Sequence, residues 1–222
     1  MGRSTTMQPP DRVTQTTADP LLAIARVVLC FFIAVPLSQE ARAAIERLVD
    51  ETKETAEASA REPRSPVRWV RMDGLHLTLR FLGPTEPEQA ASLPALLDLV
   101  AAGESPFAVT IRRAGAFPSP RRPRTLWLGI GDGEERLAMI AQRLATVLTS
   151  SGWPLDERPF RPHLTLARAD GRREGPAVAE ALVEQAQDFS VSFAADRLVL
   201  FESLTGGGPA RYVQVLEARF RG

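Results

Sequence analysis

The stretch His76-Leu77-Thr78-Leu79 decides how this chain is interpreted, because the same four residues return as His163-Leu164-Thr165-Leu166. These two tetrapeptides contain both histidines of the 222-residue sequence. Side chains on a β-strand alternate between its faces, so histidine and threonine share one face and the two leucines share the other. Each copy therefore predicts a half-buried strand with an imidazole and a hydroxyl on its polar face.

The residues around the first copy extend this pattern. The predicted strand has an apolar and a polar face, formed by Leu75, Leu77, Leu79 and Phe81 against His76, Thr78 and Arg80. Asp73-Gly74 is typical of a tight turn, and the short apolar segment Val67 to Val70 predicts a strand before it. This strand-turn-strand pattern favours antiparallel pairing.

Helix and strand patterns follow in similar order around the two copies. The β-branched and aromatic segment Arg26 to Val35 predicts a buried central strand, Ser38 a helix N-cap, and Glu134 to Ser150 an amphipathic helix. The two histidines lie about half of the folded length apart. We therefore predict an α+β, bilobal fold of two pseudo-symmetric halves. Each half is expected to have an antiparallel sheet backed by helices, with both tetrapeptides in a central cleft.

Composition predicts where the domain begins. Residues 1–22 are rich in Thr, Gln, Pro and Asp and lack apolar periodicity, so we expect a disordered tail followed by a single bilobal domain over residues 23–222. Lys plus Arg and Asp plus Glu both number 27, so any polyanion must be held by a local patch. The one concentration of basic residues is Arg112, Arg113, Arg121, Arg122 and Arg124. It is either a solvated loop or a contact for a phosphate backbone.

The compartment is predicted from one cysteine and one apolar run. Cys30 has no partner for an internal disulfide, and its apolar neighbours predict a buried thiol in a reducing compartment. The run Leu21 to Val35 is interrupted by Arg26 and followed by Pro36, so it is shorter than the roughly 20 residues that span a bilayer. We expect a cytoplasmic monomer that needs neither a membrane nor an obligate protein partner.

Three roles are open to the paired histidines. They can be structural, or they can bind a metal with a carboxylate such as Asp73 or Asp156, although no cluster with metal-ligand spacing is present. The third role is a paired acid and base, because an imidazole with a pKa near 6.5 both gives and takes protons. In-line displacement at phosphorus needs both functions on opposite sides. We favour this role and predict no metal.

Further residues are candidates for phosphate binding. Thr78 and Thr165 share the faces of the histidines and can donate hydrogen bonds to phosphate oxygens. Arg161, two residues before His163, is predicted to share its face, and the secondary candidates are Arg80, Arg158 and Phe160. For each arginine a surface salt bridge is the alternative. For Phe160 the alternatives are stacking on a base or packing in the core.

The two tetrapeptides and their flanks resemble the two-histidine phosphoesterases, and among them the RNA 2′,3′-cyclic phosphodiesterases, also called 2′-5′ RNA ligases. The resemblance covers about Val27 to Phe220. Its flanking motifs are Val35-Pro36, Leu75 to Gly83, Phe117-Pro118-Ser119-Pro120 and Arg158-Pro159-Phe160-Arg161-Pro162. The sequence departs from the family in its additional tail and in Arg80, which stands where lysine is common.

The resemblance implies metal-independent opening of a 2′,3′-cyclic phosphate at an RNA end to leave a 2′-phosphate, without a cofactor. It implies that His76 is the general acid toward the departing 3′ oxygen, that His163 is the general base that activates water, and that Thr78 and Thr165 bind the phosphate. It also implies a possible reverse reaction, 2′-5′ RNA ligation. The alternatives are a non-catalytic RNA-end binding module that uses the arginine concentration, and the same chemistry on another cyclic phosphate or a 2′-5′ linked nucleotide.

Overall fold

The computed structural model describes residues 29–59, 67–154, 159–171, 175–204 and 210–222. The predicted tail, residues 1–22, and Arg158 lie outside the described residues. The strands and helices are β1 (Leu29–Pro36), α1 (Gln39–Ser59), β2 (Arg68–Trp69), β3 (His76–Thr85), α2 (Pro87–Ala90), α3 (Leu93–Ala101), β4 (Phe107–Phe117), β5 (Thr125–Ile130), α4 (Glu134–Ser150), β6 (His163–Arg168), α5 (Gly175–Gln185), β7 (Ser190–Ala195), β8 (Arg197–Leu204) and β9 (Arg211–Arg219).

Two antiparallel sheets form the fold. One has the strand order β3-β1-β8-β9 and the other β2-β6-β5-β4-β7. Helix α3 contacts β8 and β9, and α4 contacts α3 and β3, so these two helices back the four-stranded sheet. Helix α1 contacts α5 and β7, and α5 contacts β4, so these two back the five-stranded sheet. The α+β prediction with two helix-backed antiparallel sheets is confirmed.

The sheets do not correspond to consecutive halves of the sequence. Strands β8 and β9, from the end of the chain, complete the sheet that contains β1, and β4 and β5 join β6 in the other sheet. Most buried apolar side chains of both sheets belong to one hydrophobic cluster, which includes Leu77 and Leu79 from β3 and Leu164 and Leu166 from β6. The leucine face of each tetrapeptide is therefore the core face, as predicted.

Local sequence explains several element boundaries. The hydroxyl oxygen of Ser38 accepts a hydrogen bond from the Ala41 N–H at 3.2 Å, which satisfies a free donor at the start of α1 and confirms the predicted cap. Helix α4 spans Glu134–Ser150 as predicted. Cys30, predicted to be buried, is only half-buried, and it is the second residue of β1. Among the described residues, no helix is long and apolar enough to cross a membrane.

The predicted pairing of the strand before Asp73-Gly74 is wrong. Strand β2 does not pair with β3. It pairs with β6, where Arg68 is opposite Arg168 and Trp69 is opposite Ala167. A 3₁₀ turn at Met72–Gly74 then carries the chain from the five-stranded sheet into the four-stranded one. The turn therefore joins the two sheets and does not form a hairpin.

The predicted alternation in the first copy fails after Leu79. Thr78 is opposite Ala34 of β1, but Arg80 is opposite Ile33, so Leu79 is an extra residue that forms a β-bulge. The bulge exchanges the faces of the residues that follow. Arg80 is only 8% exposed, whereas Phe81 is 56% exposed, the reverse of the prediction.

The second copy contains the same irregularity. Thr165 is opposite Trp127 of β5, Ala167 is opposite Leu126, and Leu166 is the extra residue. Both tetrapeptides thus end in a bulge at their second leucine. The repeated sequence therefore forms the same backbone irregularity in both sheets.

Candidate active site

The two tetrapeptides lie in the same region of the molecule although they belong to different sheets. Strands β3 and β6 approach each other with Cα–Cα separations of 8 Å or less. The hydrogen bond from the Val70 N–H to the Leu166 carbonyl, at 2.8 Å, continues the β2–β6 pairing toward His163. Six residues after Val70 the chain reaches His76. Because β2 runs antiparallel to β6 toward His163, the chain that follows β2 begins the first tetrapeptide near the second.

Both imidazoles are held by the same kind of backbone contact. The Nδ1 atom of His76 lies 2.7 Å from the Gly74 carbonyl oxygen, and the Nδ1 atom of His163 lies 2.6 Å from the Arg161 carbonyl oxygen. A carbonyl oxygen can only accept a hydrogen bond, so Nδ1 carries the proton and donates it in both rings. Nε2 is therefore the atom that each ring can use for proton exchange.

The ring of His76 lies among three aromatic side chains. Its centroid is 4.5 Å from that of Phe32, 5.5 Å from that of Phe201 and 5.0 Å from that of Tyr212, which meets it edge-on. Burial among these rings lowers the pKa of His76 to about 4, against a smaller opposite effect of the hydrogen bond to Gly74. His76 is consequently neutral at pH 7 in the free protein.

His163 has a different environment. One ring, that of Phe117, meets it edge-on with centroids 5.2 Å apart, and Phe117 also packs on Trp127 at 5.1 Å. Phe117 ends strand β4, at the start of the Phe-Pro-Ser-Pro segment noted in the sequence. The two halves thus share a backbone pattern and differ in the aromatic residues around the imidazoles.

The two threonines are placed as predicted relative to the leucines. Thr78 and Thr165 are half-buried, between leucines that are buried in the core. Within the described ranges, no hydrogen bond involves either hydroxyl group. Both hydroxyls can therefore donate to a bound anion without breaking an internal contact.

The predicted arginines have different positions. The side chain of Arg161 is exposed, and it has no ion-pair or hydrogen-bond partner in the part of the chain that the structure describes. Arg80 is buried, and its Nη2 donates to the Pro154 carbonyl oxygen at 2.5 Å, so the structure does not bring it to the threonine face. Phe160 is half-buried and packs against the hydrophobic core, which agrees with the core alternative.

Comparison with known proteins identifies the family. A family model described as the 2′-5′ RNA ligase superfamily matches residues 39–207. The chain belongs to this superfamily. The matched range contains both tetrapeptides and the strands β2 to β7 that position them.

Curated members of the superfamily are similar to this chain. An RNA 2′,3′-cyclic phosphodiesterase of Aeropyrum pernix is 37% identical over 119 residues, and one of Geobacillus stearothermophilus is 34% identical over 173 residues. These matches cover 54% and 78% of this chain, and 66% and 52% of the respective relatives. The chain thus spans about two thirds of the first relative and about half of the second.

A solved structure shares the fold over nearly its whole length. Escherichia coli LigT, determined in complex with 3′-AMP, is 25% identical in sequence to this chain and superposes with a TM-score of 0.64. The match covers 88% of this chain and 99% of LigT. The architecture of two helix-backed antiparallel sheets is therefore that of a known phosphoesterase structure.

The sequence analysis did not identify the aromatic residues that contact the two imidazoles. Phe32, Phe201 and Tyr212 come from β1, β8 and β9, which are distant from His76 in sequence. Two signals were present, since Tyr212 is the sole tyrosine of the chain and Phe117 begins a proline-rich segment. Neither signal specifies a contact with histidine, because that contact depends on which strands pair.

The residues that the structure describes contain no group of three or more His, Cys, Asp or Glu side chains that could hold a metal ion. Asp73, a possible ligand by sequence, instead pairs with Arg71 at 2.7 Å, which holds the pKa of its carboxyl below the usual value. Asp156 lies outside the described residues.

Proposed function

We propose that this chain is an RNA 2′,3′-cyclic phosphodiesterase that converts 2′,3′-cyclic phosphate ends to 2′-phosphate ends by paired histidine acid and base catalysis. The observation that carries the proposal is the repeated hydrogen bond from Nδ1 to a backbone carbonyl, which leaves Nε2 of both His76 and His163 for proton exchange. Their strands belong to different sheets but approach each other within 8 Å. The curated relatives named RNA 2′,3′-cyclic phosphodiesterase support it.

In the proposed reaction, Nε2 of His163 takes a proton from water as the water oxygen attacks phosphorus. The bond between phosphorus and the 3′ oxygen breaks, and Nε2–H of His76 donates its proton to that oxygen. The 2′-phosphate remains on the ribose. The hydroxyls of Thr78 and Thr165 donate to the non-bridging oxygens, where negative charge increases in the transition state. With an RNA hydroxyl in place of water, the reverse reaction would join two ends through a 2′-5′ linkage.

The lowered pKa of His76 sets a requirement on this assignment. A general acid must be protonated, but His76 is neutral at pH 7 in the free protein because its pKa is about 4. A phosphodiester anion beside the ring favours the imidazolium and raises this pKa. His76 therefore takes up its catalytic proton together with the substrate.

A leaving-group test distinguishes the two assignments, because a good leaving group needs no general acid. With a cyclic substrate whose 3′ bridging oxygen is replaced by sulfur, His76→Gln should regain most of its lost activity if His76 is the acid, whereas His163→Gln should not. Rescue of His163→Gln instead would exchange the two roles and leave the pair intact.

The direct test uses a nucleoside 2′,3′-cyclic phosphate in excess chelator. We expect His76→Gln and His163→Gln each to lower kcat at least ~100-fold, because glutamine cannot exchange a proton at this position. Circular dichroism verifies folding of both variants, and Arg47→Ala, an exposed helix substitution, is the control. Turnover that survives either histidine substitution would refute the proposal.

A product assay that separates 2′- from 3′-phosphate completes the assignment, and substrates with a different cyclic phosphate or a 2′-5′ linkage test the alternative specificity.

A non-catalytic RNA-end binding module is the second candidate, and the exposed guanidinium groups of Arg122 and Arg124 favour it. It predicts RNA binding without product in the wild-type protein.

Location and assembly belong to the same proposal. We infer a cytoplasmic monomer, because the single cysteine, Cys30, fits a reducing compartment. Size-exclusion chromatography with light scattering should give the mass of one chain, 24.2 kDa.

A further inference from the structure

A cavity of about 520 Å³ lies at the opposite end of the His163 strand. It is lined by Pro118, Arg122, Arg124, Asp170 and Gly171. Strand β6 runs from His163 to Arg168, and the chain then enters this lining at Asp170. At about 3.3 Å per residue, Asp170 lies roughly 20 Å along the chain from His163. The near wall is Pro118, which directly follows Phe117, whose ring contacts His163.

The cavity wall is tied to the sheet that carries His163. The Arg124 N–H donates to the Phe117 carbonyl at 2.7 Å, and the Ala169 N–H donates to the Arg124 carbonyl at 3.1 Å. Phe117 is also the residue whose ring contacts His163. The backbone of Arg124 therefore has a fixed position relative to the catalytic strand, which favours a defined binding site over a mobile surface loop.

The wall presents two guanidinium groups to solvent. The side chains of Arg122 and Arg124 are exposed, and neither guanidinium has an ion-pair or hydrogen-bond partner within the described parts of the chain. Of the described lining residues, these two are basic and Asp170 is acidic. The chain as a whole has a formal charge of zero, so a polyanion must be attracted by such a local excess.

We propose that this cavity binds a backbone phosphate of the RNA strand, upstream of the cyclic phosphate end. The inference rests on the proposed function, which places that end at the histidines. Guanidinium groups bind phosphate oxygens through paired N–H donors. The distance from His163 to the far wall at Asp170, roughly 20 Å from the strand rise, is one that a strand of a few nucleotides covers. The cavity would then contribute to affinity for oligonucleotides and leave the chemical step unchanged.

The test is a series of 2′,3′-cyclic phosphate substrates from a mononucleotide to a decanucleotide. For the wild-type protein we expect KM to decrease with length, with little change in kcat. In the double variant Arg122→Ala, Arg124→Ala we expect KM for the decanucleotide to rise about tenfold, and KM for the mononucleotide to be unchanged. The slope of log KM against log salt for the decanucleotide should also decrease by about one for each phosphate that the variant no longer neutralises.

The matched control is Arg47→Ala, Arg221→Ala, which removes the same charge from exposed positions outside the cavity lining. An equal reduction of decanucleotide affinity in the control would show a general charge effect and overturn the proposal. An unchanged KM in the cavity variant, or an equal increase for both substrate lengths, would also overturn it.

Failure of the proposed function would give a different result. In that case the wild-type protein would not hydrolyse the mononucleotide. Fluorescence anisotropy of a labelled decanucleotide would then still decide whether Arg122 and Arg124 bind RNA, because it needs no turnover.

Discussion

At the scale of single residues, two histidines with identical neighbours in sequence have acquired different environments. Both are fixed through Nδ1 to a carbonyl two residues earlier. His76 is enclosed by three aromatic rings, whereas one ring contacts His163. Burial among the three rings lowers the pKa of His76, so contacts that the repeated motif does not encode set its proton affinity.

The lowered pKa of His76 predicts how the stability of the fold varies with pH. The unfolded chain binds a proton at this histidine below about pH 6.5, but the folded chain does so only below about pH 4. Stability is therefore lost as the pH falls through this window. Relative to His76→Phe, the wild-type protein should lose about 1–2 kcal/mol of unfolding free energy between pH 7 and pH 5, measured by urea titration. An identical pH dependence in both proteins would show that His76 is not buried in this way.

Tyr212 is predicted to maintain the low pKa of His76. Its ring meets the imidazole edge-on and lies over Gly74, where a Cβ atom would come within 3.1 Å of the ring. Tyr212→Ala should expose the imidazole to water and raise the pKa of His76 toward 6.5, whereas Tyr212→Phe should leave it near 4. Histidine NMR titration gives both values. A rise in the phenylalanine variant would assign the effect to the hydroxyl group and contradict the role of the ring.

At the scale of secondary-structure elements, the β-bulges at Leu79 and Leu166 limit each motif to four residues. Before the bulge, the imidazole and hydroxyl share a face. After it, the alternation is reset, so Arg80 turns into the protein and Phe81 turns out. Arg80 then bonds to the Pro154 carbonyl and ties β3 to the segment after α4. Arg80, a candidate for phosphate contact by sequence, instead binds the backbone of Pro154.

Arg80→Met tests this position. The substitution removes the hydrogen bond to Pro154 and keeps most of the apolar stem, so we expect a decrease of about 1–2 kcal/mol in unfolding free energy. KM for a mononucleotide 2′,3′-cyclic phosphate should change less than about twofold, because the guanidinium lies away from the threonine face. Arg80→Lys, which preserves the charge, is the control and should retain part of the stability. A large increase in KM with unchanged stability would instead support the phosphate-binding prediction.

At the scale of the whole molecule, the two sheets share one hydrophobic cluster, and the chain passes between them several times. Strand β2 lies in one sheet and leads directly into β3 of the other. Neither sheet is built from a contiguous part of the sequence. The crossings between the sheets therefore help to hold β3 and β6, the two histidine strands, in a constant relative position. The connectivity of the described strands also supports the prediction of a single domain over residues 23–222, which was made from composition.

We expect this domain to unfold in one cooperative transition. Ile33 in the four-stranded sheet and Leu128 in the five-stranded sheet are fully buried. Ile33→Ala and Leu128→Ala should each cost about 2–5 kcal/mol and shift the same urea transition, followed by tryptophan fluorescence and circular dichroism. Two separate transitions, each sensitive to only one substitution, would mean that the sheets unfold independently.

The repeated tetrapeptide by itself determined much of the architecture and the candidate chemistry. Alternating leucines defined the core face of both copies, apolar patterns located β1 and α4, and Ser38 located the start of α1, because these signals follow from the geometry of a single strand or helix. The same pattern selected His76, His163, Thr78 and Thr165 as candidates, and their catalytic roles remain a prediction.

Only the tertiary structure decided the partner of β2, the faces of Arg80 and Phe81, and the rings that lower the pKa of His76. Each of these depends on contacts between strands that are distant in sequence. Strand pairing sets the register, and one extra residue in that register reverses the faces of the residues that follow it. Local periodicity therefore specifies which side chains share a face of one strand or helix, whereas long-range strand pairing specifies which side chains from different strands come into contact.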